Sequence, residues 1–170
     1  MKLKLKNEFL KNTIIKDPET MDEITDKKML DIATIKELWS QTYNTDGKPD
    51  WSHIFRYYHK DIIFQDTIQR IEGIENFTAM CNRLTQRTKQ LNMEIVSIAQ
   101  NENIIIFDWI MTMMFKKYPN TPMYGSTKLK LSDDGYILEQ RDYYDLWGDI
   151  FNNIPRFGKM YRRFLIKKFG

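Results

Sequence analysis

The sequence predicts an α+β fold in which a curved, mostly antiparallel sheet wraps around N-terminal helices. Three observations carry this. Apolar residues recur at helical spacing through much of the first half of the chain. Three long strand-like segments, 92–99, 103–116 and 123–131, then follow one another directly. Between them stand turn sequences, Asn101-Glu102-Asn103 and Tyr118-Pro119-Asn120, short enough to join adjacent antiparallel strands.

Each element has its own justification. Thr34 and Glu37 have capping-box spacing and open a helix to about Tyr43. Residues 44–49, Asn-Thr-Asp-Gly-Lys-Pro, form a loop on turn chemistry alone. Asp50 caps a second helix through Tyr58, with Ile54, Phe55 and Tyr58 at core spacing. Ile62, Phe64 and Asp66 then share one face of a short strand, because side chains alternate across a sheet. From Ile74 to Lys89 the residues Ile74, Phe77, Met80, Cys81 and Leu84 make one apolar helical stripe. A turn at Asp133, Asp134 and Gly135 leads into a last strand, 135–147, that carries Arg141, Asp142 and Asp145 among aromatics. Finally Phe157, Met160, Tyr161, Phe164, Leu165 and Phe169 form a helical stripe behind Pro155, which suits a first helical turn. The expected organisation is a polar N-terminal appendage over 1–33, a domain over 34–147 and a basic amphipathic C-terminal helix over 148–170, all within a single structural domain.

Bulk properties narrow the function. A chain of 170 residues supports one domain with a core. Its aromatic content of 14% indicates a core or cavity wall of large flat side chains. The net charge of +3 is local: residues 156–170 hold six basic side chains and no acid, which leaves 20 basic against 23 acidic groups elsewhere. That balance argues against a nucleic-acid-binding body. No run of eighteen apolar residues is present, and the start, MKLKLKNEFL, lacks the apolar stretch and cleavage site of a signal peptide. The single cysteine forbids an intramolecular disulfide. A cytoplasmic protein is expected.

Generic catalytic motifs are missing. Seven glycines scattered singly build no phosphate loop, and no Gly-x-Ser-x-Gly elbow occurs. His53, His59 and Cys81 lack metal-ligand spacing, so neither metal nor cofactor is expected. Cys81 lies on the apolar stripe and reads as a core residue; His59, at a helix end, reads as a capping or surface residue.

Sharper candidates come from a resemblance. The closing segment GYILEQRDYYDLW, 135–147, and its partner YYHKDIIFQDTIQRIEG, 57–73, resemble the closing and opening strands of the SnoaL-like domain, within the nuclear transport factor 2-like superfamily. The resemblance implies a cone in which sheet and helices surround a pocket. Ketosteroid isomerases of that superfamily place their general-base aspartate where Asp66 stands, and their oxyanion donors near Trp39 and at Tyr124. Limonene-epoxide hydrolases share the closing motif, and their motif aspartate corresponds to Asp142. Their relay partners fall on Trp109 and Met111, which loses the relay, and their water-holding positions on Phe64 and Asp66, the latter an acid here; this argues against that mechanism. SnoaL-like polyketide cyclases need an acid-base aspartate in an apolar pocket, and Asp142 fits that position.

The resemblance therefore implies Asp66 and Asp142 as catalytic candidates, with Trp39, Phe64, Trp109, Met111, Met113, Tyr124 and Tyr144 as ligand-binding walls. Burial among such walls raises a carboxyl pKa, and mutual repulsion raises one of two neighbours further. Plainer roles stay open: Asp66 capping the bend at 67–69, Asp142 bridging to Arg70, and the Phe107, Trp109, Met111, Met113 stripe filling a dry core. Arg141 and Glu139 should face the other side of the sheet, where a homodimer is expected. Two classes of function result. One is a protein that binds a small hydrophobic molecule, with isomerisation or cyclisation as the enzymatic version. The other is a non-catalytic dimeric interaction module. In the second, residues 156–170 attach to a partner or an anionic membrane; in the first, they pack across the cone mouth or the sheet.

Overall fold

The computed structural model describes residues 30–43, 49–116 and 119–170. The loop at 44–48, Tyr118 and all but the end of the expected appendage lie outside the described residues. Leu30, within that expected appendage, is already a core residue at 1% exposure.

Helix α1 (Ile32–Tyr43) buries Ile35, Leu38 and Trp39, an i, i+3, i+4 stripe. Its cap is Asp31, whose carboxylate accepts from the Thr34 backbone N–H at 2.7 Å. Thr34, the cap that its spacing with Glu37 suggests, therefore sits inside the helix with a buried side chain, three residues after the actual cap. Asp50 does cap a turn, accepting from Ser52 N–H at 2.8 Å, but no second full helix follows. A single 3-10 turn (Phe55–Tyr57) runs straight into strand β1 (Tyr58–Gln65), which starts four residues before the expected Ile62. His59 is consequently a strand residue. The spacing of Ile54, Phe55 and Tyr58 suits a helix and a turn-to-strand junction equally well, which explains the difference.

Strand β2 (Arg70–Glu72) pairs antiparallel with β1, and helix α2 (Ile74–Arg87) follows Gly73. Gly73 has φ +84°, a conformation that glycine adopts without cost. Four long strands complete the sheet: β3 (Gln90–Asn101), β4 (Ile104–Met114), β5 (Pro119–Leu131) and β6 (Ile137–Tyr144). Their order is β2-β1-β6-β5-β4-β3, antiparallel throughout except for the β1–β6 pair. The expected α+β class and the curved, mostly antiparallel sheet are thus present.

Extra residues bend this sheet. Val96 is inserted in β3 between partners of Trp109 and Asp108, and Leu138 in β6 between partners of Lys130 and Leu131. Near the start of β5, three residue steps face two in β4. Each bulge increases local twist and curls the strand. The concave face carries Leu91, Met93, Ile105, Phe107, Met123 and Leu129, all buried, against α1 and α2. Trp39 of α1 meets Phe107 edge to face at 5.5 Å between ring centroids. Phe77 of α2 packs on Tyr58 at 4.7 Å and Phe64 at 5.3 Å.

After β6 the chain turns through a π-helical turn (Leu146–Ile150), capped by the Asp145 carboxylate, and a 3-10 turn (Phe151–Asn153). Helix α3 (Phe157–Phe169) docks on this segment by its first turns. Tyr161 stacks on Trp147 at 4.9 Å, and Phe157 meets Phe151 at 5.6 Å. Gly158 lies so close to the Asn152 carbonyl that a Cβ there has no room. Much of the rest of the stripe is open: Met160, Phe164 and Phe169 are 64%, 55% and 83% exposed, while Leu165 is half-buried. The contacts of α3 run to the segment behind β6, whose Leu146, Ile150 and Phe151 also line the cavity described below.

Candidate functional site

The concave face does not pack solid. A cavity of about 500 Å³ remains between the sheet, α1, α2 and the 146–151 segment. That volume is within the range of small-molecule sites. Leu138 decides which residues of β6 reach it. The extra residue shifts the alternation, so that Ile137 faces the core and Gln140, Asp142 and Tyr144 face the cavity on the same side.

Asp142 is the centre of a hydrogen-bond network. Thr127, directly opposite on β5, donates its hydroxyl to Asp142 Oδ1 at 2.8 Å. Gln140, two residues earlier on the same face, donates through Nε2 at 3.1 Å to Oδ1 and 3.3 Å to Oδ2. Both donors are themselves oriented: Trp109 Nε1–H donates to Thr127 Oγ1 at 2.9 Å, and the Tyr58 hydroxyl donates to Gln140 Oε1. Every donor points toward the carboxylate, an arrangement that suits its ionised form. The residue is half-buried and borders the cavity, with apolar walls around it. Burial accordingly pushes its pKa from 3.8 up to about 6; the bonds from Thr127 and Gln140 pull it down, and the charge of Asp66 adds to the rise.

Asp66 plays two parts. Its Oδ1 accepts from the backbone N–H groups of Ile68 at 2.8 Å and Gln69 at 2.7 Å, which makes it the cap of the bend after β1. Its Oδ2 accepts from the Tyr144 hydroxyl at 3.2 Å. Burial first, then the charge of Asp66, holds the Tyr144 hydroxyl well above the ordinary tyrosine range, so it stays a neutral donor. Asp66 and Asp142 border the same cavity. The bridge from Asp142 to Arg70 does not form; Arg70 pairs with Glu72 instead, at 3.0 Å.

Of the expected walls, Trp39, Phe64, Trp109, Met111, Met113 and Tyr144 all line the cavity. Tyr124 does not. It is 60% exposed on the convex face, because Met123 and Gly125 take the inward positions on either side of it. Gly125 lies between Trp109 and Tyr144 across three strands, and its missing side chain leaves room for the Trp109 ring: a Cβ there meets Trp109 Cη2 at 2.3 Å. Arg141 faces outward, as expected, where it reaches Gln65 Oε1 at 3.3 Å and covers the Tyr143 ring. Cys81 borders the cavity, and burial pushes its thiol up to about 12, so it stays protonated and unreactive. Thr127, Gln140 and Tyr58 escaped sequence reasoning, although Gln140 stands two residues before Asp142 and so shares its face.

The raised pKa has a consequence for stability. In the unfolded chain Asp142 ionises near 3.8, in the folded protein near 6, so the folded state holds an extra proton between these values. Stability contributed at low pH is lost as pH rises through that window. Asp142→Asn should therefore match the wild type near pH 4 and exceed it by on the order of 2–3 kcal/mol near pH 7, read from urea unfolding at both values. Equal differences at the two pH values would contradict the burial of an ionised group.

Known proteins give a consistent frame. No curated protein matches the chain. Among solved structures, an LEH-like epoxide hydrolase of M. tuberculosis is similar at 17% identity and TM-score 0.57, over 77% of this chain and 92% of that one. A protein of Shewanella denitrificans described as a SnoaL-like polyketide cyclase has 16% identity and TM-score 0.55, over 65% and 86%. One from Agrobacterium tumefaciens described as an isomerase of the SnoaL-like family has 16% identity and TM-score 0.53, over 66% and 96%. Likeness at this level is likeness of fold, and it establishes the nuclear transport factor 2-like, SnoaL-like cone. A family model, Uncharacterized conserved protein (DUF2358), matches residues 32–140, from the first residue of α1 to the glutamine that holds Asp142, and the chain belongs to that family.

Proposed function

We propose that this protein binds a small apolar molecule in the cone and that Asp142 acts on it as an acid–base group, in an isomerisation or a cyclisation. The observation that carries the proposal is a carboxyl group, held by Thr127 and Gln140, that borders an aromatic- and methionine-lined cavity, where burial pushes its pKa up to about 6. A base with a pKa near the working pH is ionised enough to take a proton and acidic enough to return it. Asp142 Oδ1 accepts two bonds and Oδ2 only the longer one from Gln140, so Oδ2 retains capacity for a substrate proton. A carbon acid beside a carbonyl also needs a donor for the developing oxyanion. Tyr144 offers one, since its hydroxyl is neutral and its present bond to Asp66 is long. Epoxide opening through a charged relay fits less well, because the positions next to Asp142 that such a relay needs are Trp109 and Met111.

Three tryptophans, Trp39, Trp51 and Trp109, line the cavity and report on its occupancy. Ring-containing or carbonyl-bearing apolar compounds should quench their fluorescence with Kd values about micromolar, near −8 kcal/mol. Asp142→Asn should keep that affinity and lose turnover, and wild-type turnover should rise as pH increases through about 6. Absence of quenching across such a panel, together with no thermal stabilisation, would contradict binding; turnover that survives in Asp142→Asn would remove Asp142 as the acid–base group.

A second reading, attachment to an anionic membrane surface, is favoured by α3. Its outer turns leave Phe164 and Phe169 open among Arg162, Arg163, Lys167 and Lys168, with no acid from 156 to 170. Apolar insertion and cationic attraction then add at the same surface. Vesicles containing phosphatidylserine should sediment the wild type but not a Phe164→Ser/Phe169→Ser variant, whereas uncharged vesicles should sediment neither. Equal recovery of both proteins with the anionic vesicles counts against this attachment.

A further inference from the structure

Two cations border the cavity without an ion-pair or hydrogen-bond partner among the described residues. Arg83 and Arg87 of α2 line it and are exposed, so they stand where the cavity meets solvent, as do Ile68 and Gln69. Neither guanidinium forms an ion pair or hydrogen bond with a described residue; the ion pairs found are His59–Asp61, Arg70–Glu72 and Lys130–Glu139. They lie one helical turn apart, and like charges at that spacing destabilise a helix unless an anion lies between them. Glu75 is the sole acid of α2, two turns before Arg83, and it neutralises neither. Arg87, in the last turn, gains from the helix dipole, but Arg83 gains little because that effect fades within one turn. Met80, Arg83 and Arg87 form one row, at i, i+3 and i+7, that passes from apolar wall to cationic rim.

We propose that the ligand of this cavity is an anionic amphipath: an apolar chain or ring body that fills the cone, ending in a carboxylate held at the mouth by Arg83 and Arg87. This rests on the small-molecule reading of the cavity and adds the charge and orientation of its occupant. Orientation follows from the interior carboxylates. Asp142 and Asp66 repel an anion within the cone, and the walls around them offer methionine and aromatic surface to the apolar body. Guanidinium groups match a carboxylate geometrically, since each can present two parallel N–H donors. The carboxylate end thus remains at the rim, and the part of the molecule that meets Asp142 is the end remote from it.

The test compares dodecanoate with dodecan-1-ol, equal in chain and different in charge, by quenching of tryptophan fluorescence near pH 7.5. Dodecanoate should bind about tenfold more tightly than the alcohol at low ionic strength, and raised salt should shrink that ratio. In Arg83→Gln/Arg87→Gln the acid should fall to the affinity of the alcohol, while the affinity for the alcohol stays as in the wild type. Equal binding of acid and alcohol by the wild type overturns the anionic ligand and leaves the apolar-pocket reading standing. A preference for the acid that persists in the double variant overturns the role of the two arginines. Binding of neither compound removes both the pocket reading and this inference.

Discussion

The structure depends on the bend of its sheet. A flat six-stranded sheet would present its apolar face to α1 and α2 as a plane and pack solid against them. Here inserted residues curl β3, β5 and β6, and the concave face encloses space that the helices only partly fill. The Leu138 bulge sets the site more directly than any other feature. Without it, the alternation that buries Ile137 would carry Glu139, Arg141 and Tyr143 inward and send Asp142 to the convex face. One extra residue thereby separates a charged outer surface from a carboxylate inside a cone.

Two opposed effects then set the state of that carboxylate. Enclosure by protein favours the neutral acid, and donors from Thr127 and Gln140 favour the ion. Enclosure wins, but the donors keep the pKa from climbing beyond the neutral region. A second layer orients both donors: Trp109 gives its indole N–H to Thr127, and Tyr58 gives its hydroxyl to Gln140. Asp66 contributes charge rather than a matched partner, because its Oδ1 is committed to the bend after β1. The two acids are therefore unequal in role although they share a cavity.

Much of the fold was legible in the sequence. The α2 stripe and the long strands follow from periodicity, and the turns between them from residue chemistry. At the junction from Ile54 to Tyr58 core spacing fits a helix and a turn into a strand equally well, and the strand that wins is decided by pairing to β2 and β6, which no local pattern records. Tyr124 was misplaced for a related reason: on β5 the inward set is Met123, Gly125 and Thr127, and a glycine gives no sign in sequence that it marks a wall made by a neighbouring tryptophan. Asp142 lines the cavity that the resemblance of its motif implies; alternation from Ile137 does not lead there, since the Leu138 bulge breaks the period. The open end of α3 was illegible because its apolar stripe is the same whether or not a body lies against it.

The central claim is that the cone holds an acid–base carboxylate at Asp142 under apolar enclosure. The most direct measurement is the carbon-13 NMR titration of the aspartate side-chain carboxyls, with the Asp142 resonance assigned by its loss in Asp142→Asn. The account predicts a midpoint at about 6 for that resonance. A midpoint at the ordinary 3.8 would contradict it, since burial would then not outweigh the donors from Thr127 and Gln140 and Asp142 would lack the raised pKa that acid–base work near neutral pH needs.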